Sequence, residues 1–358
     1  MLASSRREML LTGLKGGLVV AGLSGFFGKV FRAHATPAPR AMPKPLASMA
    51  EVDAVIAETG FSAAAAEIRK HCAPCLHVFD AGPATGLLPG ETRLGGRPDL
   101  PVGTHWPRSD KCPRPSFFGQ LNLADLAGSV IEGQLPKAGL LSFFADLEAF
   151  DQDPIGVHAV YTPADMNIAP LNAPAGIETF NPVAVRFEPG VAFTDFENKW
   201  LLDLGNAHPD GDIDALSDRL SASPWPVLGR ILGHASWREE DLREALYFRE
   251  IGRPGQQRLR IWRTWEEWEK AKQMAHRLAN GSIYRPWSGN DDANVRWIID
   301  NAAEINRGVE RWQSLLTIES GQAMNLWIND ANAIYFFAHA DALAAGDFSN
   351  VQAITTQS

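Results

Sequence analysis

Three cysteines in 358 residues are too few to build a disulfide scaffold. Positive charge is in deficit as well. Lys+Arg number 33 against 42 Asp+Glu, a net charge of -9. An acidic chain is a poor partner for nucleic acid, because neutralising phosphates takes clustered Lys and Arg. Charged residues make up only 21% while hydrophobic residues reach 45% and aromatics 9%, which excludes a disordered chain. The familiar enzyme signatures are missing: there is no Gly-x-Ser-x-Gly elbow, no His-Glu-x-x-His pair and no phosphate loop. What is present is length and apolar content enough for one large domain or two small ones with a real core.

The first 35 residues read as an address. Arg6 and Arg7 precede an apolar stretch, residues 16–28 carry no charge, and Ala33-His34-Ala35 supplies the small-x-small pattern of a cleavage site. This is the three-part secretory leader, and its paired arginines mark the twin-arginine route. Lys15, Lys29 and Arg32 flank the weakly hydrophobic core, while Met9 and Leu11 depart from the strict pattern. The alternative is an uncleaved inner-membrane anchor, for which an uncharged run of 13 residues is short against the roughly 20 a span needs. Cleavage removes five basic residues and Glu8, leaving 28 basic and 41 acidic residues, a net charge of -13. The expectation is a domain that folds in the cytoplasm, engages the twin-arginine translocase, and works in the periplasm without stable membrane insertion.

Residues 36–49 hold Pro37, Pro39, Pro43 and Pro45 and read as an extended spacer. Residues 50–358 read as one domain. Ala-rich helical spacing over 47–71, broken at Gly60, predicts two short helices. Strand-like runs lie at 76–80, 117–123, 140–144, 158–161, 183–187, 315–318, 333–337 and 351–355, with 82–115 a Gly- and Pro-dense loop. Helical spacing at about 239–248, 264–278 and 291–312 predicts a helical insertion over about 239–312. The class is α+β and β-rich. Leu140-Leu141-Ser142-Phe143-Phe144-Ala145 resembles Ala333-Ile334-Tyr335-Phe336-Phe337-Ala338, each preceded and followed by a further strand. That likeness predicts two related antiparallel sheets in one body.

Several blocks carry a family resemblance. The stretch Arg93-Leu94-Gly95-Gly96-Arg97-Pro98-Asp99-Leu100-Pro101, continuing to Trp106-Pro107, resembles the signature of the YwqG-like bacterial proteins, a domain of unknown function. Phe118-Gly119-Gln120-Leu121, the run 135–144, Ile334-Tyr335-Phe336-Phe337 and Asp347-Phe348-Ser349 match further blocks in order. The resemblance covers roughly 76–358 and implies a β-rich α+β fold. It implies no activity. Trp327-Ile328-Asn329-Asp330 is one residue longer than the family's turn, and the helical stretch is longer than usual.

The loop is the most distinctive element. Gly95 and Gly96 permit backbone angles closed to other residues, Pro98 and Pro101 stiffen it, and Trp106 can bury a large surface. With Arg93 these residues form either a rigid binding loop or a loop stapled over a sheet end. Cys72-Ala73-Pro74-Cys75, flanked by His71 and His77, is the sharpest chemical motif: a disulfide, a redox pair, half of a zinc site, or structural thiols. Asp210 to Asp218 has carboxylates at calcium-loop spacing, but Ala215 and Ser221 stand where that loop needs Gly and Glu, so a turn entering a helix is expected. Trp262, Trp265 and Trp268 fall on roughly one helical face and read as packing.

The pattern assigns no catalytic residue, cofactor or metal ligand. The leading expectation is a non-enzymatic binding or interaction domain with a protein or small-molecule partner. The alternatives are a thiol-redox or metal-dependent enzyme centred on Cys72 and Cys75, and a hydrolase assembled from scattered His105, His158, His208, His234 and His339 with carboxylates.

Overall fold

The computed structural model describes residues 43–146, 155–194, 199–224, 226–235, 239–278, 291–328 and 332–355. The leader expected over residues 1–35, with Arg6 and Arg7, lies outside the described residues. Helix α1 (Met49–Glu58) starts where Ser48 accepts from the Glu51 N–H at 3.3 Å. After Gly60 the chain makes a 3-10 turn and helix α2 (Ala65–Lys70). Leu46 is buried and its carbonyl accepts from Val191 N–H at 2.9 Å, so the far end of the proline spacer is tied to the body.

Strand β1 runs Cys72–Pro83, and the loop after it carries the short strands β2 (Arg93–Leu94) and β3 (Asp99–Pro101). Then come β4 (Ser116–Asn122), β5 (Leu140–Ala145), β6 (Val157–Thr162), β7 (Ile168–Pro170) and β8 (Val183–Phe193). Helices α3 (Lys199–Ala207) and α4 (Ile213–Leu220) follow, and Asp212 caps α4 by accepting from Ala215 N–H at 2.9 Å. The acidic stretch is thus a turn entering a helix. Strand β9 (Gly229–Ile231) leads into α5 (Glu239–Glu250), α6 (Trp265–Leu278), α7 (Asp291–Asp300) and α8 (Ala302–Glu310). The chain returns through β10 (Trp312–Glu319), β11 (Ala333–His339), α9 (Ala340–Ala345) and β12 (Gln352–Thr355).

Ten strands form a single antiparallel sheet in the order β12-β11-β10-β9-β1-β8-β2-β4-β5-β6, and β3 and β7 pair separately. The Ile155–Ala353 bridge joins the two ends, so the large sheet nearly closes on itself. Both Phe-Phe strands, β5 and β11, therefore lie in one sheet, one toward each end, and not in two.

Their surroundings match in detail. A bulge in β4 falls between Phe117 and Gly119, opposite Phe144 and Phe143; a bulge in β10 falls between Ser314 and Leu316, opposite Phe337 and Phe336. Alternation sends the first phenylalanine of each pair to one face and the second to the other. Phe143 and Phe336 meet in the shared interior at 5.0 Å between ring centroids, with Phe118 at 6.0 Å from Phe336. Phe144 turns outward to Leu100, Trp106 and Phe117, while Phe337 turns outward under α5–α8 with Phe248, Trp268 and Trp312. Helices α1–α4 cover the middle of the sheet around Phe61, Ile68 and Val191.

Candidate functional site

The loop after β2 is positioned by its own backbone. Gly95 has φ +64° and donates its N–H to Phe118 O at 2.9 Å; a Cβ there would lie 2.2 Å from Asn181 O. Only glycine fits this approach. The chain then doubles back so that Asp99 is fully buried (0% exposed) beside Arg93.

The Asp99 Oδ2 atom accepts from Arg93 Nη2, Gln120 Nε2 and Gly90 N–H, each at 2.8 Å. Gln120 closes a ring by accepting from Asp99 N–H at 2.9 Å and donating to Glu91 O at 2.9 Å. Arg93 also donates through Nε to Arg97 O at 3.1 Å. Asp99 Oδ1 is sealed from solvent and has no hydrogen-bond partner among the described residues. A buried ion pair with these added hydrogen bonds offsets the large desolvation cost of its two charges.

Over this pair lies a cleft of about 520 Å³. Arg93, Gly96, Arg97 and Asp99 line it, and Leu87, Leu88, Phe180 and Pro182 supply much of the apolar lining. Of the loop residues singled out by sequence, Arg93 and Gly96 reach this cleft. Gly95, Pro98 and Trp106 do not line it. The Pro98 carbonyl accepts from Leu171 N–H at 2.9 Å, tying the loop to the chain beyond β7. Trp106 is buried edge-on to Phe144, its ring centroid 5.4 Å away, and donates Nε1–H to Pro115 O at 2.9 Å. It staples the loop to the sheet. Sequence reasoning passed over Asp99, Gln120 and Arg97; a glutamine inside the apolar strand 117–123 is the signal that would have marked a buried hydrogen-bonding partner.

Cys72 and Cys75 stand within β1, with no helix between them. Three steps of extended chain separate their Cα atoms by about 10 Å, beyond the roughly 4.4–6.8 Å a disulfide spans. All three cysteines are free and buried. Burial pushes Cys72 up to about 12 and Cys75 up to about 11; burial and then Asp146 push Cys112 up to about 12. His77 shares the Cys75 face, in space that a side chain at Gly190 would fill, since a Cβ there would meet His77 Nε2 at 2.2 Å. Burial, then Arg230, lowers its pKa to about 4. His71 stacks on Trp200 at 3.8 Å. Among the described residues no group of three or more His, Cys, Asp or Glu could hold a metal ion. The scattered histidines sit on separate elements, with His158 in β6, His234 beyond β9 and His339 ending β11.

The tryptophans pack. Trp268 is buried, donates Nε1–H to Asp292 Oδ1 at 2.7 Å and lies 5.8 Å from Trp262, with Trp265 beside them.

The Arg93 hook has a counterpart. Arg230 in β9 donates Nη1–H to His234 O at 2.8 Å, four residues on, as Arg93 does to Arg97. Leu232 and Gly233 repeat the left-handed turn with φ +54° and +82°, and Leu232 N–H donates to the carbonyl of bulged Leu315 at 3.1 Å. This is the bond that Gly95 makes to bulged Phe118.

The thiol pKa values lead to a solution test. With Ellman's reagent at pH 8 the native protein should show almost no reaction, and three thiols should appear on unfolding in urea. Rapid labelling of the native protein, or fewer than three thiols after unfolding, would contradict the buried free thiols.

No curated protein matches the chain significantly. A family model described as a domain of unknown function, DUF1963, matches residues 92–356. The match starts at the residue before Arg93 and runs through β12, in keeping with the YwqG-like resemblance. The chain belongs to the DUF1963 family of domains of unknown function.

Proposed function

We propose that the chain is a non-enzymatic binding domain that holds a small molecule in the cleft over Arg93 and Asp99. The observation that carries this reading is the cleft itself, at about 520 Å³ within the range of ligand pockets. Its wall is divided almost evenly between apolar surface and polar groups, which suits a ligand that carries both. Its buried carboxylate is tied by three donors on one oxygen, which suits a rigid frame better than proton transfer. The domain also reads as two related halves, β2-β4-β5-β6-β8 and β9-β10-β11-β12-β1, in support of which stand the matched bulges and the matched arginine hooks. In this reading the first half carries the ligand.

Native mass spectrometry on protein purified from its own cells tests both points. The wild type should retain a small-molecule adduct. Ala84→Trp, which fills the cleft, should lose it, and Arg230→Gln, in the other half, should keep it. An adduct that survives Ala84→Trp contradicts the cleft reading; one lost with Arg230→Gln contradicts the assignment to the first half.

Residues 1–35 address this domain to the periplasm by the twin-arginine route in the same proposal, supported by Arg6-Arg7 and the uncharged run behind them. Changing both arginines to lysine should leave the protein in the cytoplasmic fraction. Normal export of that variant would overturn the route.

A further inference from the structure

We infer that the cleft takes an anion on an apolar body, a carboxylate or a phosphate, and that Arg97 holds its charged end. This rests on the binding reading above and names the ligand class for the same site.

The charges on the wall are unequal. It carries two guanidinium groups, Arg93 and Arg97, and one carboxylate, Asp99. Asp99 is matched to Arg93 and sealed from solvent, so it offers nothing to a ligand. Arg97 is exposed, and its Nη1 donates to a neutral acceptor, Asn172 Oδ1, at 3.3 Å. Among the described residues no carboxylate pairs with it. The neighbouring Glu91 carboxylate is engaged elsewhere, accepting Leu88 N–H at 2.8 Å, and is not part of the wall. What a ligand meets is one cationic fork on a chain whose net charge is -9.

The backbone beneath the fork is held in place. The Arg97 carbonyl accepts from Arg93, and Gly96 N–H donates to Phe180 O at 3.0 Å, so the backbone that carries the side chain is fixed from both sides. A guanidinium with free N–H groups in a plane matches the two oxygens of a carboxylate or phosphate. The same cleft also has apolar lining. Leu88 is 67% exposed and stands with Leu87, Pro89, Phe180 and Pro182. A ligand that carried charge alone would leave this surface in water, and one without charge would leave Arg97 unmatched.

Titration calorimetry on the full chain tests the inference with four probes: octanoate, octyl phosphate, octanol and octylamine. Octanoate or octyl phosphate should bind at least about tenfold more tightly than octanol, with octylamine weakest. Comparison of the first two tells carboxylate from phosphate. Arg97→Gln should remove that preference while leaving the melting temperature unchanged, since Arg97 is exposed. Equal binding of octanoate and octylamine, an Arg97→Gln variant that keeps the preference, or no binding of any probe would overturn the inference. Ala84→Trp separates the two levels. If octanol binds the wild type and not Ala84→Trp while charge makes no difference, the cleft reading stands and the anion falls. If octanoate binds Ala84→Trp undiminished, the cleft reading falls with it.

Discussion

A guanidinium and a carboxylate share a space from which water is excluded, and the shape of the cleft follows from that. Arg93 opens a two-residue strand, and Asp99 sits six residues on at the start of another. For these two charges to be buried together the chain between them must fold back sharply. Gly95 and Gly96 make the reversal, and Arg93 holds it by donating to the Arg97 carbonyl. A lone charge in this place would be intolerable in a low-dielectric interior. Matched, with Gln120 and Gly90 adding donors, the pair fixes one loop geometry where Gly and Pro alone would permit many.

The sheet explains why the loop can afford so irregular a path. Its interior is filled from both ends by Phe143 and Phe336, and its outer faces are covered by separate apolar clusters. Each cluster takes the second phenylalanine of a pair or the middle of the sheet. The bulges in β4 and β10 turn one backbone carbonyl aside from the ladder, and in each case a left-handed turn donates to it. Where the turn after β2 uses Gly95, the turn after β9 uses Leu232, a residue that rarely adopts such an angle. There the turn packs against Cys75 and Ala192: a Cβ on Gly233 would lie 2.7 Å from Cys75 Cβ.

The long strands were legible because their residues alternate or cluster at a length that periodicity detects, and so were the helices of 47–71 and the packing of the tryptophans. The short strands β2, β3, β7 and β9 were not, since two or three residues carry no period. Helical spacing up to His71 and a strand-like run from Leu76 place Cys72-Ala73-Pro74-Cys75 between a helix and the first strand. Its pairing with the far end of β8, Cys72 opposite Phe193, draws it into β1. The single sheet was hidden for a different reason: two similar ribbons in sequence do not tell whether they lie in one layer or two. Asp99 was hidden in full view, because only the fold brings Gln120 and Arg93 to it.

The central claim is that Arg93 and Asp99 act as one buried unit, and a double-mutant cycle measures this most directly. Urea unfolding of Arg93→Met, Asp99→Asn and the double variant gives the coupling. Each single change should lose about 3–5 kcal/mol by leaving a buried group without its partner, and the double variant should lose far less than their sum. Losses that add would mean that the two side chains are independent and that the cleft wall is held by something else.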